Sequence, residues 1–145
     1  MYVYSILPCT LLKKFHVPVD RITALALHTT GDHILVGGSN NVVCWFEPSI
    51  SPKPTILLRN HTGVVTRIAF HAKYPLLATS SHDGAVHIFH YTHPDNLLVR
   101  PKLIPLKILR PHTQQSGFSV YDCQFHPIHP WIFTAGTQQT ARLYI

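Results

Sequence analysis

Residues 65–71, with the sequence VTRIAFH, carry the pattern that decides the fold: large apolar residues at the first, fourth and sixth positions and a closing histidine. The same pattern occurs in residues 22–28, ITALALH, and in residues 120–126, VYDCQFH. After each copy come a short turn, a strand of small and apolar residues, and a further strand that ends in an aromatic residue. The chain therefore contains three copies of one structural unit.

The spacing inside the copies is nearly constant. From the closing histidine to the aromatic residue that ends the third strand (Trp45, Phe89 or Tyr144), the distances along the chain are 17, 18 and 18 residues. Successive closing histidines are 43 and 55 residues apart, against ~40–45 residues for a four-stranded propeller blade. Residues 91–105 and 114–117 are predicted to be loop insertions that account for the longer interval.

This repeat predicts an all-β chain that forms a partial β-propeller of about three four-stranded blades. No helix is expected, because no apolar period of 3.6 residues is sustained. A single partial propeller over residues 1–145 is predicted, with the outer strand of a preceding blade at about 9–16, blades at about 21–59 and 61–109, and a last blade at about 112–145 that lacks its outer strand. Because closed propellers have about 4–8 blades, three blades cannot close a ring. The chain is therefore expected to be a fragment, and the ring is expected to have seven blades.

Composition limits the class of protein. Hydrophobic residues make up 46% of the chain and charged residues 12%, which excludes a disordered segment. The net charge of +6 favours acidic partners such as nucleic acid. Three cysteines without a C-x-x-C pair favour a reducing compartment. No apolar run reaches the ~20 residues of a membrane span, and the apolar residues 3–12 are predicted to form a buried strand.

The second copy resembles the WD-repeat family. In that family a histidine before the first strand, a hydroxyl on the second strand and an aspartate in the next turn form a hydrogen-bonded chain, which a tryptophan on the third strand completes. The matching residues here are His61, Thr79 and Asp83, with Phe89 in place of the tryptophan; Gly84 is expected to adopt positive φ in the turn. The third copy keeps His112 and Thr134 but has Gln138 and Tyr144, and the first keeps only Trp45.

Three chemical roles for residues of the repeats are less well supported than a structural role. His61, Thr79 and Asp83 have the residue types of a catalytic triad, but the chain lacks a strained nucleophile turn and an oxyanion loop. A zinc site at His82, His87, His90 and His93 is disfavoured, because His87 and His90 fall on opposite faces of a strand and no cysteine or acidic ligand completes the set. Cys44 lies in an apolar strand, where a thiol behaves as a small hydrophobe. No catalytic residue, metal or cofactor is predicted.

Five basic residues are candidates for contact with a partner or RNA. They are Arg59, Arg67, Lys102, Lys107 and Arg110. For each, a solvated surface charge is the alternative. Arg67 and Asp122 occupy equivalent positions in consecutive copies, which favours an ion pair between blades, because a charge in an apolar strand needs a partner.

Several longer segments carry a more specific resemblance. They are residues 45–46 (WF), 51–54 (SPKP), 58–61 (LRNH), 69–76 (AFHAKYPL), 103–109 (LIPLKIL) and 125–133 (FHPIHPWIF). In these segments the chain resembles the C-terminal WD-repeat blades of the block-of-proliferation family of eukaryotic ribosome biogenesis proteins. The turn at 136–139, GTQQ, departs from the Gly-Asp-Gly expected there.

The resemblance implies a non-catalytic scaffold in large ribosomal subunit assembly and pre-rRNA processing. It implies a location in the nucleus, the nucleolus and the nucleoplasm, and partners in a complex that contains pescadillo and a second WD-repeat protein, beside pre-ribosomal RNA. No membrane and no small-molecule substrate are expected. The alternative is a WD-repeat adaptor in another pathway, such as ubiquitin-ligase substrate capture or the binding of histone tails or other peptides.

Overall fold

The computed structural model describes residues 1–92, 101–113 and 119–145. All regular elements in these ranges are β-strands, so the predicted all-β fold is confirmed. In the same ranges no helix is long and apolar enough to cross a membrane. In chain order, the described strands are β1 (Tyr2–Tyr4), β2 (Leu11–Lys14), β3 (Ile22–Leu27), β4 (Ile34–Gly38), β5 (Val43–Phe46), β6 (Ile56–Leu58), β7 (Val65–Phe70), β8 (Leu76–Ser81), β9 (Val86–Thr92), β10 (Lys102–Leu109), β11 (Val120–Phe125), β12 (Ile132–Gly136) and β13 (Ala141–Tyr144).

These strands form antiparallel sheets in which each strand pairs with the next along the chain. Blade 1 consists of β3–β6, blade 2 of β7–β10 and blade 3 of β11–β13, while β1 pairs with β2 ahead of blade 1. The first strands of successive blades contact one another, β3 with β7 and β7 with β11. Meander sheets that lie side by side, first strand next to first strand, are the blades of a partial β-propeller.

The core lies between the blades. Between blades 1 and 2, the buried side chains include Leu35, Trp45 and Val65. Between blades 2 and 3, they include Val86 and Val120. In blade 1, β4 and β5 are buried along their whole length, because core clusters cover both faces of this sheet. In blade 3, β12 alternates buried and less buried residues.

Gly37 allows the two inner strands of blades 1 and 2 to approach closely. A Cβ atom added at Gly37 would lie 2.6 Å from Cγ1 of Val65 on β7. Any side chain there would therefore clash with the neighbouring blade.

The outer strand of blade 2 differs from its prediction. Residues 102–105 were expected to belong to the loop, but β10 begins at Lys102. Proline is tolerated at the edge of a sheet, and the register of β10 shifts between Pro105 and Lys107, so Pro105 does not end the strand. Tyr91 and Thr92, also predicted to belong to this insertion, end β9 instead. Residues 93–100 and the predicted insertion at 114–117 lie outside the described residues.

The prediction of one buried strand over residues 3–12 is wrong. The segment contributes to two strands, β1 and β2, which pair as a hairpin. Ile6 and Leu7 between them are 85% and 88% exposed. Pro8 lacks an N–H group for a ladder and lies in this connection, so the apolar run turns back instead of continuing as one strand.

Candidate functional site

The polar residues of blade 2 that match the family spacing meet at one end of its sheet. His61 precedes β7, Thr79 lies on β8, and Asp83 lies in the turn between β8 and β9. The Nδ1 atom of His61 donates to Oδ2 of Asp83 at 3.0 Å, and its Nε2 atom lies 2.8 Å from Oγ1 of Thr79. The ring of His61 is almost fully buried. The three residues therefore form one buried hydrogen-bonded chain.

Asp83 is held by more than His61. Its Oδ2 atom accepts from the backbone N–H of Thr62 and its Oδ1 atom from that of Ala85, both at 2.9 Å. Burial alone would raise the pKa of Asp83, but the hydrogen bonds from His61 and the two backbone groups outweigh burial and hold the pKa well below its usual range. Gly84 follows with φ of +85°, as the turn prediction required. The carboxylate therefore ties the turn to the start of β7.

Blade 3 keeps a weaker version of this chain. The Nε2 atom of His112 lies 3.3 Å from Oγ1 of Thr134. Instead of a carboxylate, the hydroxyl of Thr140 lies 3.4 Å from Nδ1 of His112. Gln138, at the position of the missing aspartate, donates to Oγ1 of Thr113. Burial lowers the pKa of His112, so its imidazole is neutral at pH 7.

Blade 1 uses a partner that the sequence analysis missed. The indole Nε1 atom of Trp45 donates to Nδ1 of His33 at 3.1 Å. His33 lies immediately before β4, and the resemblance pointed to no histidine at that place. The repeat could not predict that His33 accepts this hydrogen bond, because His33 has no counterpart in the other two copies.

The closing histidines of the repeat have a role that sequence reasoning did not assign. The Nδ1 atoms of His28, His71 and His126 accept hydrogen bonds from backbone N–H groups of the turn that follows each first strand. A neutral imidazole that accepts at Nδ1 carries its proton on Nε2. Each closing histidine therefore fixes its own turn through Nδ1 and can donate a second hydrogen bond from its Nε2–H group.

Two of these donors connect neighbouring blades. The Nε2 atom of His28 in blade 1 lies 2.7 Å from the hydroxyl of Tyr91 in blade 2. The Nε2 atom of His71 in blade 2 donates to the backbone oxygen of His129 in blade 3 at 2.8 Å. Both histidines are buried. The recurrence of histidine in the sequence was the available sign of this link.

The described residues contain no group of three potential metal ligands; His93, named in the zinc alternative, lies outside them. Burial lowers the pKa of His82 and of His87. Burial also raises the pKa of Cys44 to about 11 and of Cys123 to about 12. Thiols with such pKa values stay protonated at neutral pH and are poor nucleophiles.

Four of the five candidate contact residues lie free on the surface. Arg59, Lys102, Lys107 and Arg110 are exposed, and no carboxylate of the described ranges lies within 4.0 Å of their charged groups. Arg59 follows the outer strand of blade 1, and Arg110 follows that of blade 2. Because the blades repeat one strand order, these two arginines occupy the same end of adjacent blades.

Arg67 differs from these four. Its Nε atom lies 3.3 Å from Oδ1 of Asp122, and both side chains are about half exposed. The structure thus shows the ion pair between blades 2 and 3 that the sequence favoured. Such exposed pairs contribute only about 0–1 kcal/mol, so this pair orients the two strands more than it stabilises them.

A family comparison decides what this arrangement is. The family model for the WD domain, G-beta repeat, matches residues 9–46, 52–90 and 103–144. The chain belongs to the WD-repeat family. The three matches each take in β-strands of one repeat and end at or next to the aromatic residue that was used to define the repeat.

Within the WD-repeat family, the chain is similar to ribosome biogenesis proteins, which confirms the more specific resemblance. It is 40% identical to the Ribosome biogenesis protein BOP1 homolog of Oryza sativa subsp. japonica, over 98% of this chain and 21% of that protein. It is 42% identical to the homolog of Chlamydomonas reinhardtii (98% and 18%) and 37% identical to BOP1 of Mus musculus (98% and 19%). The chain thus spans about a fifth of the length of the curated relatives it matches.

Proposed function

We propose that this chain is part of a non-catalytic scaffold in large ribosomal subunit assembly and pre-rRNA processing. The observation that carries the proposal is the identity of 36–42% to ribosome biogenesis proteins along 98% of the chain. In this role the blades hold surface residues in fixed positions for a partner WD-repeat protein and for pre-ribosomal RNA. The partners would belong to a complex that contains pescadillo, in the nucleus, the nucleolus and the nucleoplasm.

The chemistry of the described residues supports a scaffold better than an enzyme. The His61–Asp83 pair is buried, with side-chain exposures of 1% and 11%, and the two buried thiols have raised pKa values. The exposed charge of the described residues is mainly basic, and Arg59 and Arg110 lie at the same end of adjacent blades. A rigid sheet that presents cations at a repeated position is suited to bind an acidic surface or a phosphate backbone.

Reversing the charge of both repeated arginines, Arg59→Glu with Arg110→Glu, is expected to weaken binding. We expect affinity for pre-ribosomal RNA or the partner protein to fall roughly tenfold, because two attractive contacts become repulsive. The temperature of unfolding should stay the same, since exposed substitutions change stability by only about 0.5 kcal/mol. Co-sedimentation with pre-ribosomal particles, with and without ribonuclease, measures the first quantity, and a thermal melt measures the second.

A matched control is Lys14→Glu with Lys53→Glu, which changes the net charge by the same amount at residues outside the candidate set. This control should keep most of the binding. Unaltered binding in the arginine variant, or an equal loss in both variants, would remove Arg59 and Arg110 from the proposed contact.

A further inference from the structure

The end of the blades opposite to Arg59 and Arg110 has a different chemistry. There the first strands of blades 2 and 3 end in the turns at 71–75 and 126–131, which we call the turn surface. Neither turn contains an aspartate or a glutamate, and together they hold three histidines, a tyrosine, a tryptophan and a lysine. An aromatic and cationic surface without carboxylates favours an anionic ligand that has flat rings.

The aromatic rings of the turn surface are arranged for stacking. Tyr74 is 44% exposed and packs against the buried ring of His71 with centroids 4.8 Å apart. His129 is exposed and stacks on Trp131 at 4.6 Å with an interplanar angle of 22°. Tyr74 meets His71 edge-on, at an interplanar angle of 64°. Tyr74 and His129 are thus packed against a neighbouring ring while much of their own surface is exposed, so a ligand ring could reach them without displacing any part of the core.

The two turns are held in a fixed relation to each other. His71 accepts from the backbone N–H groups of Lys73 and Tyr74 and donates to the backbone oxygen of His129. The same buried imidazole therefore sets the positions of the tyrosine in blade 2 and of the stacked pair in blade 3. A preorganised surface loses less entropy on binding than a mobile loop.

An open pocket of about 230 Å³ adjoins this surface, and its lining includes Lys73, Tyr74 and the hydroxyl-bearing residues Thr29 and Tyr91. Typical small-molecule sites have volumes of ~300–1,000 Å³. The pocket is therefore too small for a whole cofactor and is suited to one ring or one phosphate. Lys73 is exposed, and no carboxylate of the described residues lies within 4.0 Å of it.

We propose that the turn surface binds single-stranded RNA, with bases stacked on Tyr74 and on the His129–Trp131 pair and a phosphate held by Lys73. This proposal rests on the proposed function, because it names the part of the chain that meets the RNA bases. Stacking on aromatic side chains is how proteins hold unpaired bases, and it tolerates any base sequence. The positive net charge of +6 assists the approach of the RNA.

The test compares two probes by fluorescence anisotropy: a labelled single-stranded RNA of about twelve nucleotides and a ribose-phosphate strand of the same length that lacks bases. Tyr74→Ala is expected to lower affinity for the RNA about fivefold or more and to leave the baseless strand unaffected. Lys73→Ala should weaken the binding of both probes and reduce the salt dependence of the RNA by about 0.7 in the log–log slope. Tyr4→Ala, at a tyrosine that is 61% exposed on β1, is the matched control and should bind as the unmodified chain does.

Three results would overturn the proposal. If the unmodified chain binds the RNA and Tyr74→Ala binds it equally well, the turn surface is not the base contact, while the scaffold role stands. If Tyr74→Ala lowers affinity for both probes to the same extent, or weakens only the binding of the partner protein, bases are not stacked there. If the unmodified chain binds neither probe, the RNA part of the proposed function fails as well.

Discussion

Replacing Trp45 by alanine is expected to lower the free energy of unfolding by about 3–5 kcal/mol, the usual cost of deleting a fully buried aromatic side chain. Trp45 is 0% exposed. Its ring packs edge-on against Phe70 and Tyr91 of the next blade, with centroids 5.8 and 6.0 Å away. The substitution would open a cavity between blades 1 and 2 and leave Nδ1 of His33 without its indole donor. Urea denaturation followed by circular dichroism measures the loss.

The chain offers its second tryptophan as the control. Trp131 lies half-buried in the turn surface and packs mainly against His126 and His129. Trp131→Ala should cost about 1 kcal/mol, since a partly exposed side chain leaves no enclosed cavity. Equal losses in the two variants would mean that Trp45 does not fill an interface between blades.

Asp83→Ala is the second substitution with a large expected effect. It removes a carboxylate that accepts from His61, Thr62 and Ala85. Hydrogen bonds to charged groups contribute about 1.5–3 kcal/mol each, and buried donors that lose their acceptor are costly. Because these bonds share one acceptor group, their losses do not add in full, and we expect a loss of about 2–4 kcal/mol in the free energy of unfolding.

Asp32→Ala provides the comparison for Asp83→Ala. Asp32 is an exposed carboxylate in the turn of blade 1, and no ion pair connects it to another described residue. Its removal should change stability by no more than about 0.5 kcal/mol. Guanidinium denaturation of both variants at pH 7 decides the matter. A loss in Asp83→Ala as small as that in Asp32→Ala would show that the polar chain of blade 2 adds little to stability.

The strands could be predicted from the sequence where the repeat determined them. The first strands β3, β7 and β11 lie where the repeated pattern put them. The large apolar residues of β7 and β11 pack against the preceding blade, whereas those of β3 are 45–62% exposed and Ala24 packs toward blade 2 instead. The pattern failed at the edges. β1 has no repeat partner in the sequence, and β10 continues through a proline that only an edge strand tolerates.

The polar contacts could be predicted only where residue types followed the family. His61, Thr79 and Asp83 occupy the family's spacing, and the structure brings them together. The bonds from Trp45 to His33 and from His28 to Tyr91 join residues that no repeat spacing relates. Such contacts depend on the rotamers and on how adjacent blades are placed, which a one-dimensional pattern does not contain.

This fold explains how a scaffold can present distinct surfaces. Each blade buries its side chains against its neighbours, and the closing histidines fix the turns, so the exposed side chains of the turns and strand ends remain available to partners. The arginines at one end and the aromatic turn surface at the other can therefore act independently. Combining the Arg59, Arg110 and Tyr74 substitutions should give additive losses, as expected for separated sites.

The central claim is that the repeats stack as adjacent blades, and ring-to-ring nuclear Overhauser effects test it most directly. In the folded chain the indole of Trp45 in blade 1 should show cross-peaks to the rings of Phe70 and Tyr91 in blade 2, and the ring of His28 should show one to Tyr91. A folded chain in which these cross-peaks are missing, while contacts within each sheet remain, would contradict the propeller arrangement and the surfaces proposed on it.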